Sequence, residues 1–163
     1  ENVGIELHDR SAGAEKAAAL AKHQDYRSMC NALVQCFFAN VPTETTLELT
    51  NAATGFDYTL DEMMVVGERA WNLKRVINHR LGLTRANDTL PAALLKPYAE
   101  GGSAGYVPPL EEMLAAYYSA RGWDPDTGQP LPETLARLGV RVDDLQFPIP
   151  RHPAPVTPEG QPA

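Results

Sequence analysis

The stretch Thr59-Leu60-Asp61-Glu62-Met63-Met64-Val65-Val66-Gly67-Glu68-Arg69-Ala70-Trp71-Asn72-Leu73-Lys74-Arg75-Val76-Ile77-Asn78-His79-Arg80-Leu81-Gly82 decides the fold class. Thr59 and Glu62 stand at the spacing of a capping box, in which each side chain satisfies the other's free backbone amide. Met63, Gly67, Ala70, Leu73 (or Lys74), Ile77 and Leu81 then recur at intervals of three and four, the period of one helix face. Gly82 supplies the stop, so a helix over 60–81 is expected. Gly67 costs up to about 1 kcal/mol inside a helix, which predicts compensation by the close approach of another helix.

The flanking segments carry the same period. Residues 12–38 read as one helix, or as two parted at 23–25, with Ser11 as N-cap and Leu20, Met29, Leu33, Cys36 and Phe37 as a buried stripe. Asn40-Val41-Pro42 ends it, because proline lacks a donor and bars the preceding residue from the helical region. A helix over 43–54 closes on Gly55. Residues 83–105 read as loop with one short helix at 91–95. A helix over 110–121, a turn at 124–130 and a short helix over 132–138 follow. Six of the 14 prolines fall in residues 147–163, the composition of an extended chain. No segment alternates as a strand does. The fold class is all-α: a helical bundle over residues 1–146 and a proline-rich extended tail over 147–163.

Composition bounds the partners. The chain has 163 residues, 44% of them hydrophobic, enough for one independently folding domain. Its formal net charge is −7. That balance excludes a nucleic-acid binder, which needs a basic face, and docking on an anionic membrane. No apolar run approaches the roughly 18 residues of a bilayer span. The opening Glu1-Asn2-Val3 has no apolar signal core and no initiator Met, so a processed chain or a piece of a longer one is expected. Cys30 and Cys36 do not make a disulfide framework, and a reducing cytoplasm is the default.

The candidate chemistry is sparse. None of the four histidines, His8, His23, His79 and His152, stands at metal spacing with another His or Cys. No glycine-rich phosphate loop or serine nucleophile elbow is present. Asp143-Asp144 reads as a solvated charge pair. Glu68, Asn72, Arg75 and His79 make a polar ridge on the 60–81 helix, either a solvated face or a buried network. Asn31 and Cys36 lie about 140° apart on a continuous helix, so they share a face only if the helix ends or bends between them. Taken alone, Cys36 reads more readily as a small buried residue than as a ligand, since a cluster site needs four ligands.

The run Gly67-Glu68-Arg69 with Asn72-Leu73-Lys74-Arg75 and Asn78-His79-Arg80 is similar to a signature of the aldehyde:ferredoxin oxidoreductase family, whose members carry tungsten or molybdenum on pterins. The resemblance continues upstream in Leu49-Thr50-Asn51-Ala52-Ala53-Thr54-Gly55. Downstream it runs through Asn87-Asp88-Thr89-Leu90-Pro91 and Tyr117-Tyr118-Ser119-Ala120-Arg121-Gly122-Trp123-Asp124. Gly128, Pro130 and Leu135 with Leu138-Gly139 complete a collinear match over roughly 14–140.

The resemblance implies that this chain is the helical C-terminal part of a larger oxidoreductase. Such an enzyme turns aldehydes into carboxylic acids and passes the electrons to ferredoxin. It implies a bis-pterin tungsten or molybdenum cofactor beside a [4Fe–4S] cluster in the full-length parent. It further implies that this chain alone binds none of these and is not catalytic by itself. The stretch Asn31-Ala32-Leu33-Val34-Gln35-Cys36 matches a family motif, Asp-x-x-Gly-Leu-Cys. On that match Cys36 is the cluster ligand, and Asn31, Val34 and Gln35 occupy cofactor-binding positions. Asn31 replaces an aspartate and offers one acceptor oxygen without charge. Val34 replaces a glycine and is expected to bar any left-handed backbone there. A subunit of an aromatic acyl-thioester reductase and a cofactor-free helical interaction module are the alternatives.

Overall fold

The computed structural model describes residues 3, 6–39 and 41–142. Five α-helices form: α1 Ala14–Ala32, α2 Thr43–Thr54, α3 Leu60–Arg80, α4 Leu110–Arg121 and α5 Pro132–Arg137. Short 3-10 turns lie at Phe37–Ala39, Arg85–Asn87 and Ala92–Leu95. Two isolated bridges, Tyr98 with Ala104 and Trp123 with Pro130, are the extended pairings among the described residues. The all-α class holds. The proposed tail over 147–163, Asp143-Asp144 and His152 lie outside the described residues.

The capping box forms as expected: the Thr59 amide donates to Glu62 Oε2 at 2.8 Å and the Glu62 amide to Thr59 Oγ1 at 3.3 Å. The expected cap at Ser11 does not. Ser11 turns its backbone amide to Asp9 Oδ1 at 2.8 Å, and Gly13 occupies the cap position of α1 without a side-chain bond. Nor is α1 broken at 23–25; it runs unbroken to Ala32 and stops there, six residues before the expected end. Of its expected stripe Met29 is buried, whereas Leu20, Leu33 and Cys36 are exposed.

Helix α1 lies against α3 on one side and α4 on the other. Gly67 marks the closest approach. A Cβ built there would sit 1.9 Å from the Asp25 carbonyl oxygen, so only glycine lets the two backbones meet. Nearby, Met29, Cys30 and Met63 form a buried cluster with Tyr26, Leu47 and Tyr58 packed on it.

The apolar stripe expected along all of α3 is buried only in its first half. Met63 and Gly67 are buried, but farther along the buried residues are Asn72, Arg75 and Val76. At 100° per residue these lie about 120° to 220° round the helix from Met63. The first half of α3 faces α1, while the segment after α4 folds over the opposite side of the second half. The polar ridge is therefore an internal surface, and the solvated reading of it fails at Asn72 and Arg75.

Candidate functional site

The end of α1 brings together the residues that the sequence singled out. The Val34 amide donates to the Asn31 carbonyl and the Gln35 amide to the Cys30 carbonyl, both at 3.0 Å. This pair of bonds closes a helix around one left-handed residue. Here that residue is Val34, at φ +56°. Glycine usually takes the position, and a β-branched residue is strained in it. The expectation that Val34 bars a left-handed backbone is thus overturned: the two closing bonds hold it there.

Because the helix stops at Ala32, the 140° offset between Asn31 and Cys36 no longer applies. Cys30, Asn31, Gln35 and Cys36 line one concavity of about 40 Å³, with Tyr26, Arg27 and Val41 around it. Val34 is not in its wall; 90% of it faces solvent. Both cysteines border this concavity, but their exposure differs. Cys30 is buried in the core cluster, and Cys36 is exposed.

Gln35 is oriented from behind. The Thr46 hydroxyl donates to the Pro42 carbonyl at 3.1 Å and so presents a lone pair to Gln35 Nε2, 3.3 Å away. That leaves Gln35 Oε1 as the free end of the amide, and it is buried with no hydrogen-bond donor. The site therefore offers one accessible sulfur, one exposed neutral amide and one orphaned buried acceptor, with no carboxylate. Among the described residues no three His, Cys, Asp or Glu side chains cluster to hold a metal ion. Cys36 can serve a metal centre only together with ligands from elsewhere.

The second polar assembly ties α3 to the turns that follow it. Arg75 donates through Nε to the Gly128 carbonyl at 2.7 Å and through both terminal nitrogens to Asp88, while its guanidinium lies 4.7 Å from the centre of the Trp123 ring. Tyr118 also donates to Asp88, and Trp123 Nε1 donates to Asn72 Oδ1 at 2.7 Å. Burial pushes the Asp88 carboxyl up, but the bonds from Arg75 and Tyr118 outweigh it and hold the group below the usual range. Burial and the Asp88 charge push the Tyr118 hydroxyl up to about 12. His79 approaches the Gly128 carbonyl at 3.3 Å, and burial lowers its pKa. Every group here is occupied by another protein group, so the assembly acts as a fastening.

A third network joins α1 to α4. Arg121, 1% exposed, reaches Asp25 Oδ1, the Ala21 carbonyl at 2.7 Å and Gln24 Oε1 at 2.9 Å. Its guanidinium is flanked by the Trp71 and Tyr117 rings, each 5.4 Å from centre. Burial outweighs the Arg121 pairing at Asp25 and raises its carboxyl to about 6. Sequence reading missed the Asp25–Arg121 pair, since 96 residues separate its members; only the charged residues inside apolar-periodic helices hinted at it. Between these two networks lies a largely apolar cleft of about 770 Å³, walled by Leu20, Leu90, Leu110, Met113 and Leu114 and reached by both tryptophans.

A family model described as aldehyde ferredoxin oxidoreductase, domains 2 & 3, matches residues 2–140. The tungsten-containing aldehyde ferredoxin oxidoreductases of Pyrococcus furiosus and Thermococcus kodakarensis are each 36% identical to the chain over 140 residues. That alignment covers 83% of this chain and 23% of each relative, so the chain spans about a quarter of the length of the proteins it resembles. No described helix is long and apolar enough to cross a membrane. With residues 2–140 inside the family model, the chain belongs to the aldehyde ferredoxin oxidoreductase family.

Proposed function

We propose that this chain is the C-terminal helical portion of a tungsten- or molybdenum-pterin, iron–sulfur oxidoreductase that converts aldehydes to carboxylic acids and hands the electrons to ferredoxin. The observation that carries the reading is the turn after α1. There Cys36, which the resemblance makes a cluster ligand, is exposed and shares a concavity with Cys30, Asn31 and Gln35, which supports the reading.

The residues fit the implied groups. Cys36 presents an accessible sulfur for the fourth position of a [4Fe–4S] cluster whose other thiolates lie outside this chain. Asn31 and Gln35 each carry an amide oxygen able to accept from ring or exocyclic N–H groups of a pterin. Val34 contributes only its backbone, turning the chain so that these side chains converge. When bound, the metal and cluster supply two-electron oxidation of the aldehyde and onward electron transfer. The net reaction adds one water oxygen to the aldehyde carbon and releases two electrons and three protons as the acid ionises. The chain's own share is to ligate, orient and exclude water. A reducing cytoplasm suits the exposed Cys36 thiol.

The test is metal analysis of the full-length parent, purified anaerobically, against its Cys36→Ala variant. The variant should lose most of about four iron atoms per chain and the low-temperature paramagnetic signal of the reduced cluster. Unchanged iron in Cys36→Ala ends the ligand assignment. A parent that carries neither tungsten nor molybdenum ends the wider reading.

A further inference from the structure

Cys30 and Cys36 are the two cysteines of the chain. On one continuous helix they would stand about 9 Å apart along the axis and about 120° apart around it, out of bonding range. Helix α1 stops at Ala32 instead, and the chain doubles back. The Gln35 amide reaches the carbonyl of Cys30 itself at 3.0 Å, so Cys36 follows one residue after the point of contact. Both cysteines border the same concavity of about 40 Å³. Their surroundings are unequal. Cys30 is held on α1, 4% exposed, between Met29 and Met63. Cys36 is exposed and lies in irregular chain before the turn at Phe37–Ala39, so its side chain can turn without unwinding a helix. Oxidation follows exposure, so an oxidant from solvent meets Cys36 first.

We propose that Cys30 and Cys36 form an oxidant-responsive pair, in which hydrogen peroxide oxidises Cys36 and Cys30 resolves the product as an intrachain disulfide. In the first step the Cys36 sulfur attacks one peroxide oxygen. The O–O bond breaks, leaving a sulfenic acid and one water. In the second step the Cys30 sulfur attacks the Cys36 sulfur. The S–O bond breaks, and the hydroxyl leaves with the Cys30 proton as a second water. Two thiols and one peroxide thus give one disulfide and two waters, with two electrons passing from the sulfurs to the peroxide. The disulfide stops Cys36 short of the irreversible sulfinic and sulfonic acids, and a thiol reductant restores both residues. In the proposed oxidoreductase, Cys36 bound to iron does not enter this chemistry, so the pair acts when the cluster is lost and preserves the ligand for rebuilding. The pairing itself does not depend on Cys36 being a ligand.

The test is peptide mass mapping of the intact parent after excess hydrogen peroxide under inert gas, quenched in acid and alkylated, with released iron followed in the same samples. One tryptic peptide, Ser28 to Arg69, holds both cysteines. It should lose two hydrogens, resist alkylation at both sites and recover both thiols with dithiothreitol. In Cys30→Ser, sulfinic and sulfonic acid at Cys36 should rise about tenfold while helical circular dichroism holds, and Cys30→Ala replaces it if serine unfolds the core. Equal overoxidation of Cys36 with and without Cys30 overturns the proposal. Two thiols still open to alkylation, or Cys36 bonded to a cysteine outside this chain, overturn it as well. The mapping of the unaltered parent needs no variant. A disulfide that forms only after iron release supports both the pair and the ligand assignment. A disulfide that forms with all iron retained supports the pair and ends the ligand assignment, so the two fail separately.

Discussion

The backbone amide of Gln35 donates to the carbonyl of Cys30 at 3.0 Å, and this bond folds the chain back over the end of α1. It places Gln35 and Cys36 beside Asn31, a helical turn earlier, where a continued helix would have swung Cys36 away. The cost is the left-handed conformation of Val34.

Val34→Gly is expected to stabilise the chain by roughly 1 kcal/mol. Left-handed strain of about 1–2 kcal/mol disappears, offset in part by the backbone entropy of glycine. The exposed valine side chain loses little packing on removal. Equilibrium urea unfolding of the two proteins measures the difference, and a destabilised glycine variant would contradict the strain argument.

Gly67→Ala should behave in the opposite way. Alanine gains about 1 kcal/mol in helix propensity, but its Cβ would lie 1.9 Å from the Asp25 carbonyl oxygen. The helices must separate, at a net cost of about 2–3 kcal/mol. A midpoint equal to that of the parent sequence would show that α1 and α3 do not meet here.

Arg121→Met removes the cation that satisfies Asp25, Gln24 and the Ala21 carbonyl. A loss of about 3–5 kcal/mol is expected, since a partly buried carboxylate is left without its partner. Adding Asp25→Asn should recover part of that loss. Additive single-variant costs in a double-mutant cycle would remove the coupling.

The two partly buried aspartates pull the pH profile in opposite directions. Asp25 titrates at about 6 in the folded chain against 3.8 as its ordinary value. The native state therefore binds more protons than the unfolded state between those values, and stability falls as pH rises from about 4 to 6, then levels. Asp88 is lowered below its ordinary value, so its contribution is present above about 4 and is lost as pH falls through its folded value. Subtracting the stability profile of Asp25→Asn from that of the unaltered chain should isolate the falling limb between pH 4 and 6. A flat difference would show that Asp25 is ionised throughout that range.

Local signals carried most of the helical architecture. The Thr59–Glu62 box and Gly55 and Gly122 as left-handed caps are rules of neighbouring residues, and helices begin and end at them, whereas Pro42 stands at the start of α2 rather than at the end of α1. Gly67 predicted a close neighbour because a glycine in a long helix is costly unless something uses the space. The Arg75–Asp88 and Arg121–Asp25 pairs were not legible, because a charged residue on a helix looks the same whether water or a distant helix satisfies it.

The sequence by itself determined the all-α class, the helix order and the family, since spacing, caps and collinear motifs are properties of the chain before it folds. Tertiary structure alone decided that α3 changes its buried face midway and that the polar ridge turns inward. It also decided that Val34 is left-handed and that Asn31, Gln35 and Cys36 meet. The reason is that burial and backbone strain depend on which segment arrives opposite. The segment after α4 covers one side of α3, and the closing bonds of α1 outweigh what valine prefers by itself.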